Sequence, residues 1–241
     1  MTNVRQKSIM SACWSVTDNK FEALLDVIRE HYPRQIENVL VVGCGTGREA
    51  ILMSQRMGCN VEGIDITGHF FETPPDSRVR LRVMDICKTD YESNKFDFLY
   101  SYHVFEHIPD LAAALQEMGR LLRPGGIFCI GTPNKSRIIG SVGTREPLAV
   151  KIMSNINDWK MRLTNRWENS LGAHAGFTRK SLQQICSDAF GKCIDITDEY
   201  YLRVYSSRAR MIETIIKLRL GNRIFPGVYM LGARSESSSR P

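Results

Sequence analysis

A chain of 241 residues with 43% hydrophobic side chains can bury a full core, and is long for one domain but short for two. The formal charge of +6 would ordinarily raise nucleic acid as a partner, yet residues 203–241 hold Arg203, Arg208, Arg210, Lys217, Arg219, Arg223, Arg234 and Arg240 against Glu213 and Glu236, so the first 202 residues balance and the excess is local. No run of 18 apolar residues occurs, Met1–Arg5 lacks the apolar stretch of a signal peptide, and the seven cysteines (13, 44, 59, 87, 129, 186 and 193) form no Cys-x-x-Cys pair; these features exclude a spanning helix, a disulfide framework and a zinc ribbon, and predict a cytoplasmic protein with reduced thiols.

Taken in chain order, Phe21–Ile28 repeats apolar residues at helical spacing, with Asp18 or Asn19 as the expected cap. Val39–Val42 then runs into Gly43-Cys44-Gly45-Thr46-Gly47, a buried strand breaking into a tight turn where backbone can approach a ligand closely. Val61–Ile66 is a second apolar run, and its Asp65 lies 22 residues after Gly43, the spacing of one βαβ unit with a carboxylate placed to accept ribose hydroxyls. Leu81–Ile86 is a third run carrying Asp85, and Lys95–His103 a fourth. Leu121–Gly126 reads as a helix end and turn before the fifth strand, Ile127–Asn134.

The rhythm then breaks. Residues 136–175 carry Leu148, Ile152, Ile156, Trp159 and Leu163 at helical spacing, with Met153, Met161 and Trp167 nearby, and read as a helical cap over an acceptor because they grow from a strand's carboxyl end. Phe177–Leu182 starts another helix. Ile194–Thr197 and Tyr200–Tyr205 offer a sixth strand, residues 208–220 a basic amphipathic helix, and Val228–Arg234 a seventh strand; residues 235–241 have the composition of a disordered tail. Strands alternating with helices require a mainly parallel, doubly wound α/β sheet covered on both faces.

With these segments in place, residues 36–135 resemble the class I S-adenosylmethionine-dependent methyltransferases. The resemblance implies one domain over 1–234, with a cofactor core at 36–135, a substrate cap at 136–175 and a C-terminal completion at 176–234 whose seventh strand is antiparallel and lies beside the sixth. It gives Gly43, Gly45 and Gly47 to the methionine part of S-adenosylmethionine, Asp65 to the ribose, and Asp85 with Ile86 to the adenine, with His103 at the fourth strand's tip facing cofactor and acceptor. One departure concerns position 41. The family often has an acid two residues before the first glycine, where this chain has Val41, so the contact to the cofactor's ammonium is missing or supplied elsewhere.

An alcohol acceptor benefits from a base, most often His near neutral pH. Of the five histidines, His31 ends the first helix and His69 follows the ribose strand; His107 and His174 lead as candidates, then His103. The segment His103-x-x-Glu106-His107 also matches a metalloprotease signature, but it starts at a strand end and no third ligand accompanies it, so no metal is expected. Thr132-Pro133-Asn134 followed by a long insertion looks like bacterial enzymes that O-methylate sugars of glycolipids or lipo-oligosaccharides. Polyprenyl-quinone methyltransferases are the nearest enzymatic alternative. A noncatalytic adenosyl-ligand module, an RNA methyltransferase using the basic segment, and an NAD enzyme using the frame Gly45-x-Gly47-x-x-Ala50 are the readings of other classes. Basic residues 203–223 also suit peripheral contact with the inner membrane surface.

Overall fold

In a computed structural model, the structure describes residues 19–70, 77–138, 147, 149, 150, 152, 153, 156, 160 and 176–236. Helix α1 covers residues 19–31, so Asn19 lies inside it instead of capping it. There follow β1 (Asn38–Val42), α2 (Arg48–Met57), β2 (Asn60–Asp65), β3 (Val79–Val83), β4 (Phe96–Tyr102), a single 3-10 turn (Phe105–His107), α3 (Leu111–Leu121) and β5 (Leu122–Pro133). After the insertion come α4 (Arg179–Phe190), β6 (Cys193–Asp195), α5 (Thr197–Val204), α6 (Ala209–Lys217), α7 (Gly221–Ile224) and β7 (Gly227–Ala233). Among the described residues no helix is long and apolar enough to cross a membrane.

The seven strands form one sheet in the order β3-β2-β1-β4-β5-β7-β6. The pairs β1–β2, β1–β4, β2–β3 and β4–β5 are parallel, and β7 runs antiparallel between β5 and β6, as the resemblance implied. Alternation along the strands divides the core. Val39, Val41, Phe98, Tyr100, Ile127 and Cys129 pack with α1, α2, α5 and α6 through Phe21, Leu25, Met53, Tyr200, Tyr201 and Ile212. Leu40, Val42, Leu99, Phe128 and Ile130 pack on the other face with Met118 of α3 and Leu182, Cys186 and Phe190 of α4. Strands buried on both faces need continuous apolar runs, which is why β1 and β4 stand out in the sequence.

Two further expectations differ from the structure. The helix end expected within Leu121–Gly126 is present, since α3 closes at Leu121, but the residues that follow belong to β5: Leu122 pairs with Phe96 and Ile127 with Phe98, so those between bulge out, with Gly125 at φ 68°. Tyr200–Tyr205 is no strand. Thr197, Tyr200 and Tyr201 are the buried residues of a helix whose first turn carries Asp198 and Glu199, favourable to the helix dipole, and the sixth strand is only Cys193–Asp195. The Asp195 carboxylate accepts from Thr197 N–H at 2.9 Å and turns the chain out of the sheet.

The insertion's two roots lie side by side through an Asn134–Phe177 bridge, and the Asn134 amide donates to the carbonyls of Asn222 (2.9 Å) and Phe225 (2.8 Å). Residues 149, 150, 152, 153, 156 and 160 are helical. Most of the expected cap, including Leu148, Trp159, Met161, Leu163, Trp167 and His174, lies outside the described residues, as do Asp18 and the tail beyond Glu236.

Candidate active site

The strand order turns back between β1 and β4, and the carboxyl ends of β1, β2 and β4 open there, where α/β sheets take ligands. A cleft of about 470 Å³ sits at this point, lined by Val42, Gly43, Ile64, Asp65, Ile66, Met84, Asp85, Ile86, Cys87, His103, Val104, His107, Ile108 and Pro109. A second depression, of about 1090 Å³ and lined by residues of α3 and α4, contains none of the site residues expected from the sequence.

The glycine loop follows β1. Gly43, Gly45 and Gly47 have φ of 68°, 52° and 84°, a backbone region that L side chains rarely adopt. Their surroundings differ. A Cβ at Gly43 would lie 2.1 Å from Val104 and one at Gly47 2.3 Å from Leu81, whereas one at Gly45 would meet nothing within 4 Å. Gly43 and Gly47 therefore serve close packing, and Gly45 keeps open space. Asp65 joins the loop to the cleft: Oδ2 accepts from Gly45 N–H at 2.8 Å, and Oδ1 accepts from Thr67 N–H at 2.9 Å and Thr67 Oγ1 at 2.8 Å. Buried Cys44 carries a thiol pushed up to about 12, first by burial and then by the Asp65 charge, so it stays protonated.

Asp85 is exposed, and its Oδ1 accepts from Cys87 N–H at 2.8 Å; Ile86 is buried beside it. The cleft thus has a carboxylate at the tip of β2, another beyond β3, and apolar Ile66, Met84 and Ile86 between. These acceptors and this shape fit a nucleoside whose ribose and base edge offer hydrogen-bond donors and whose ring needs apolar walls.

The end of the fourth strand brings two histidines to the cleft. His103 has φ 56°, a strained conformation for His, held by its N–H donating to Gly131 O at 2.9 Å. Its ring meets Tyr102 edge-on at 4.2 Å. Glu106 is 1% exposed, and its Oε1 lies 3.1 Å from His103 Nδ1 and 3.9 Å from His107 Nε2. His103 and His107 do not share a helix, since β4 ends at Tyr102 and the turn begins at Phe105. The structure brings together Gly43, Asp65, Asp85, Ile86, His103 and His107; Gly45 and Gly47 sit in the adjoining loop, and His174 lies outside the described residues. His31 pairs with Glu199 on the surface at 2.8 Å, and His69 is exposed.

Sequence reasoning passed over one residue. Glu49, in the first turn of α2, is half-buried, and burial pushes its carboxyl up to about 7 against a hydrogen bond from Tyr100 and the charges of His103 and Arg48. The available signal was a carboxylate two residues past the last glycine of a ligand loop.

Residues 40–130 match the model of a methyltransferase domain family. A ubiquinone biosynthesis O-methyltransferase of Neisseria meningitidis is 26% identical over 195 residues, 74% of this chain and 80% of that protein. A 2-methyl-6-phytyl-1,4-hydroquinone methyltransferase of Synechocystis is 32% identical over 102 residues, 40% of this chain; the match spans about a third, 32%, of that protein's length. Among solved structures, the Haemonchus contortus phosphoethanolamine N-methyltransferase 2 in complex with S-adenosyl-L-methionine shares the fold, with a TM-score of 0.54 at 17% identity over 88% of this chain and 51% of that one.

Proposed function

We propose that this chain, whose residues 40–130 match a methyltransferase domain family, is a class I S-adenosylmethionine-dependent methyltransferase that methylates a hydroxyl on a lipid-linked small molecule, with a reduced quinone as the leading acceptor. S-adenosylmethionine supplies an electrophilic methyl group on a sulfonium. The chain's part is to hold the acceptor oxygen in line, exclude water and take the hydroxyl proton. The observation that carries this reading is His103 at the lip of the nucleoside cleft, its Nδ1 3.1 Å from buried Glu106. A carboxylate at Nδ1 favours the tautomer with the proton there, which leaves Nε2 to accept a proton.

The quinol acceptor is favoured by the Neisseria relative, which aligns along most of both chains. Sugar hydroxyls of a glycolipid form the second acceptor class, resting on the Thr132–Asn134 strand ending and the insertion behind it. Val150, Ile152, Met153 and Ile156 of that insertion are 48–67% exposed, an apolar set suited to the lipid part of either acceptor. The decisive experiment incubates the pure protein with methyl-labelled S-adenosylmethionine and either catechol-type quinols or sugar-bearing lipids. Label on the quinol is expected; label on the sugar alone would replace the acceptor, and no label with bound cofactor would favour the noncatalytic module. His103→Ala is expected to lower kcat by about 10²-fold or more while cofactor affinity changes little. An equal loss in His107→Ala alone would move the base to His107.

A lipid-linked acceptor needs a route to the membrane. Helix α6 buries Ile212 and exposes Met211, with Leu218 and Leu220 exposed beyond its end, flanked by Arg208, Arg210, Lys217, Arg219 and Arg223. Each basic side chain near an anionic leaflet contributes about 1 kcal/mol, screened by salt. Arg203 is engaged elsewhere, paired with Glu30 and Glu199. Co-sedimentation with anionic vesicles that is lost in high salt and in an Arg210→Glu, Lys217→Glu, Arg219→Glu variant is expected; equal binding to neutral vesicles would refute the surface.

A further inference from the structure

One role at the methionine end of the cleft has no holder at its usual place. Position 41 is Val, 1% exposed, with no charge to meet an α-ammonium group. Val41 is paired with Tyr100 across β1 and β4, and both side chains belong to the core face that packs on α2. Glu49 reaches the partner of Val41. It stands in the first turn of α2, two residues past Gly47, and its carboxyl takes a hydrogen bond from the Tyr100 hydroxyl. A carboxyl is therefore tied to the side chain that lies beside position 41 in the sheet.

We propose that Glu49 is the ligand of the cofactor's α-ammonium group in this chain, supplying from the start of α2 the carboxylate that β1 lacks at Val41. The proposal rests on the S-adenosylmethionine reading above. His103 lies within electrostatic reach of Glu49 and also lines the nucleoside cleft, so the two sites adjoin. The groups facing Glu49 are Tyr100, Tyr102 and His103 of β4 and its end, Arg48 of α2, Cys44 of the loop, Cys129 of β5 and Tyr200 of α5. Burial holds Tyr100 well above the usual phenol range, so it remains a donor. The Tyr100 hydrogen bond, His103 and Arg48 only partly offset the burial of Glu49, which pushes its carboxyl up to about 7. An ammonium group completes the pair through charge-assisted hydrogen bonds.

The test compares two ligands, S-adenosylhomocysteine, which carries the ammonium, and 5′-methylthioadenosine, which keeps the adenosine and thioether but lacks it. Calorimetric titration of Glu49→Gln is expected to show S-adenosylhomocysteine binding weakened about 10- to 100-fold, with 5′-methylthioadenosine within about twofold of the unsubstituted protein. Equal weakening of both ligands, or of neither, overturns the proposal. A second measurement needs no variant: S-adenosylhomocysteine affinity should rise as pH rises through about 7, where Glu49 ionises, and 5′-methylthioadenosine affinity should not follow. A flat profile for both overturns the proposal as well. Failure of both ligands to bind the unsubstituted protein would overturn the cofactor reading itself, which separates the two failures.

Discussion

Gly43→Ala is expected to lower the thermal midpoint by about 5–15 °C, whereas Gly45→Ala should cost only a few degrees and act on ligand affinity. At Gly43 two effects add. An L residue at φ 68° costs about 1–2 kcal/mol, and the new methyl would lie 2.1 Å from Val104 in a packed loop, an overpacking cost of about 1–3 kcal/mol. In a chain of this size each kcal/mol lowers the midpoint by about 2–4 °C. At Gly45 only the strain remains, because nothing lies within 4 Å of the added Cβ. That space adjoins Asp65, so a methyl there narrows the loop's approach to ligand. Thermal melts with and without S-adenosylhomocysteine separate the variants: Gly43→Ala melts early in both, and Gly45→Ala melts near normal but loses the ligand-induced gain. A Gly43→Ala midpoint within about 2 °C of the unsubstituted protein would refute the packing account.

The same contrast shows how much of the site was legible in the sequence. Three alternating glycines after an apolar run announce the loop, and Asp65 at its βαβ spacing announces the ribose carboxylate. Which glycine is needed for packing depends on Val104 and Leu81, which come from β4's end and β3 and touch the loop only after folding. Glu49 was hidden for a similar reason. Its meaning lies in being near Tyr100, 51 residues away in the chain, and no local pattern encodes a neighbour across strands. His103 was visible as a strand-tip histidine, but its left-handed backbone and the burial of Glu106 beneath it are tertiary facts.

In the fold, the central strands were legible because burial on both faces forces long apolar runs with few polar interruptions. The sixth strand was misread where that signal weakens. Tyr200, Tyr201, Val204 and Tyr205 have the aromatic and β-branched character of a strand, yet Thr197, Tyr200 and Tyr201 repeat at helical spacing and are the buried side. Propensity lost to packing: the tyrosines join a layer in which Tyr102 stacks on Tyr229 at 5.7 Å and Tyr201 on Phe225 at 4.3 Å. Helical spacing places two adjacent tyrosines on one face, which alternation along a strand cannot do.

Asp65→Asn should weaken S-adenosylhomocysteine and 5′-methylthioadenosine together, by about 10²-fold, and this shared loss sets it apart from Glu49→Gln. Both ligands carry the ribose, and only one carries the ammonium. The carboxylate already accepts three hydrogen bonds, with one oxygen on Gly45 and the other on Thr67. An amide has one acceptor oxygen, so either flip turns an NH₂ group toward an N–H donor. If the oxygen stays on Thr67, the Gly45 N–H loses its partner and the loop loosens at the point where it meets ligand. Leaving one such group unpaired costs about 1–3 kcal/mol, a fall in midpoint of about 2–12 °C, in addition to the lost ribose acceptor. Asp65→Ala removes all three bonds without placing donor against donor, so its stability loss should be no greater than that of Asp65→Asn despite the larger truncation. A substituted protein that binds both ligands with unchanged affinity would show that the ribose lies away from Asp65, and the cleft would then have to be read from the Asp85 side.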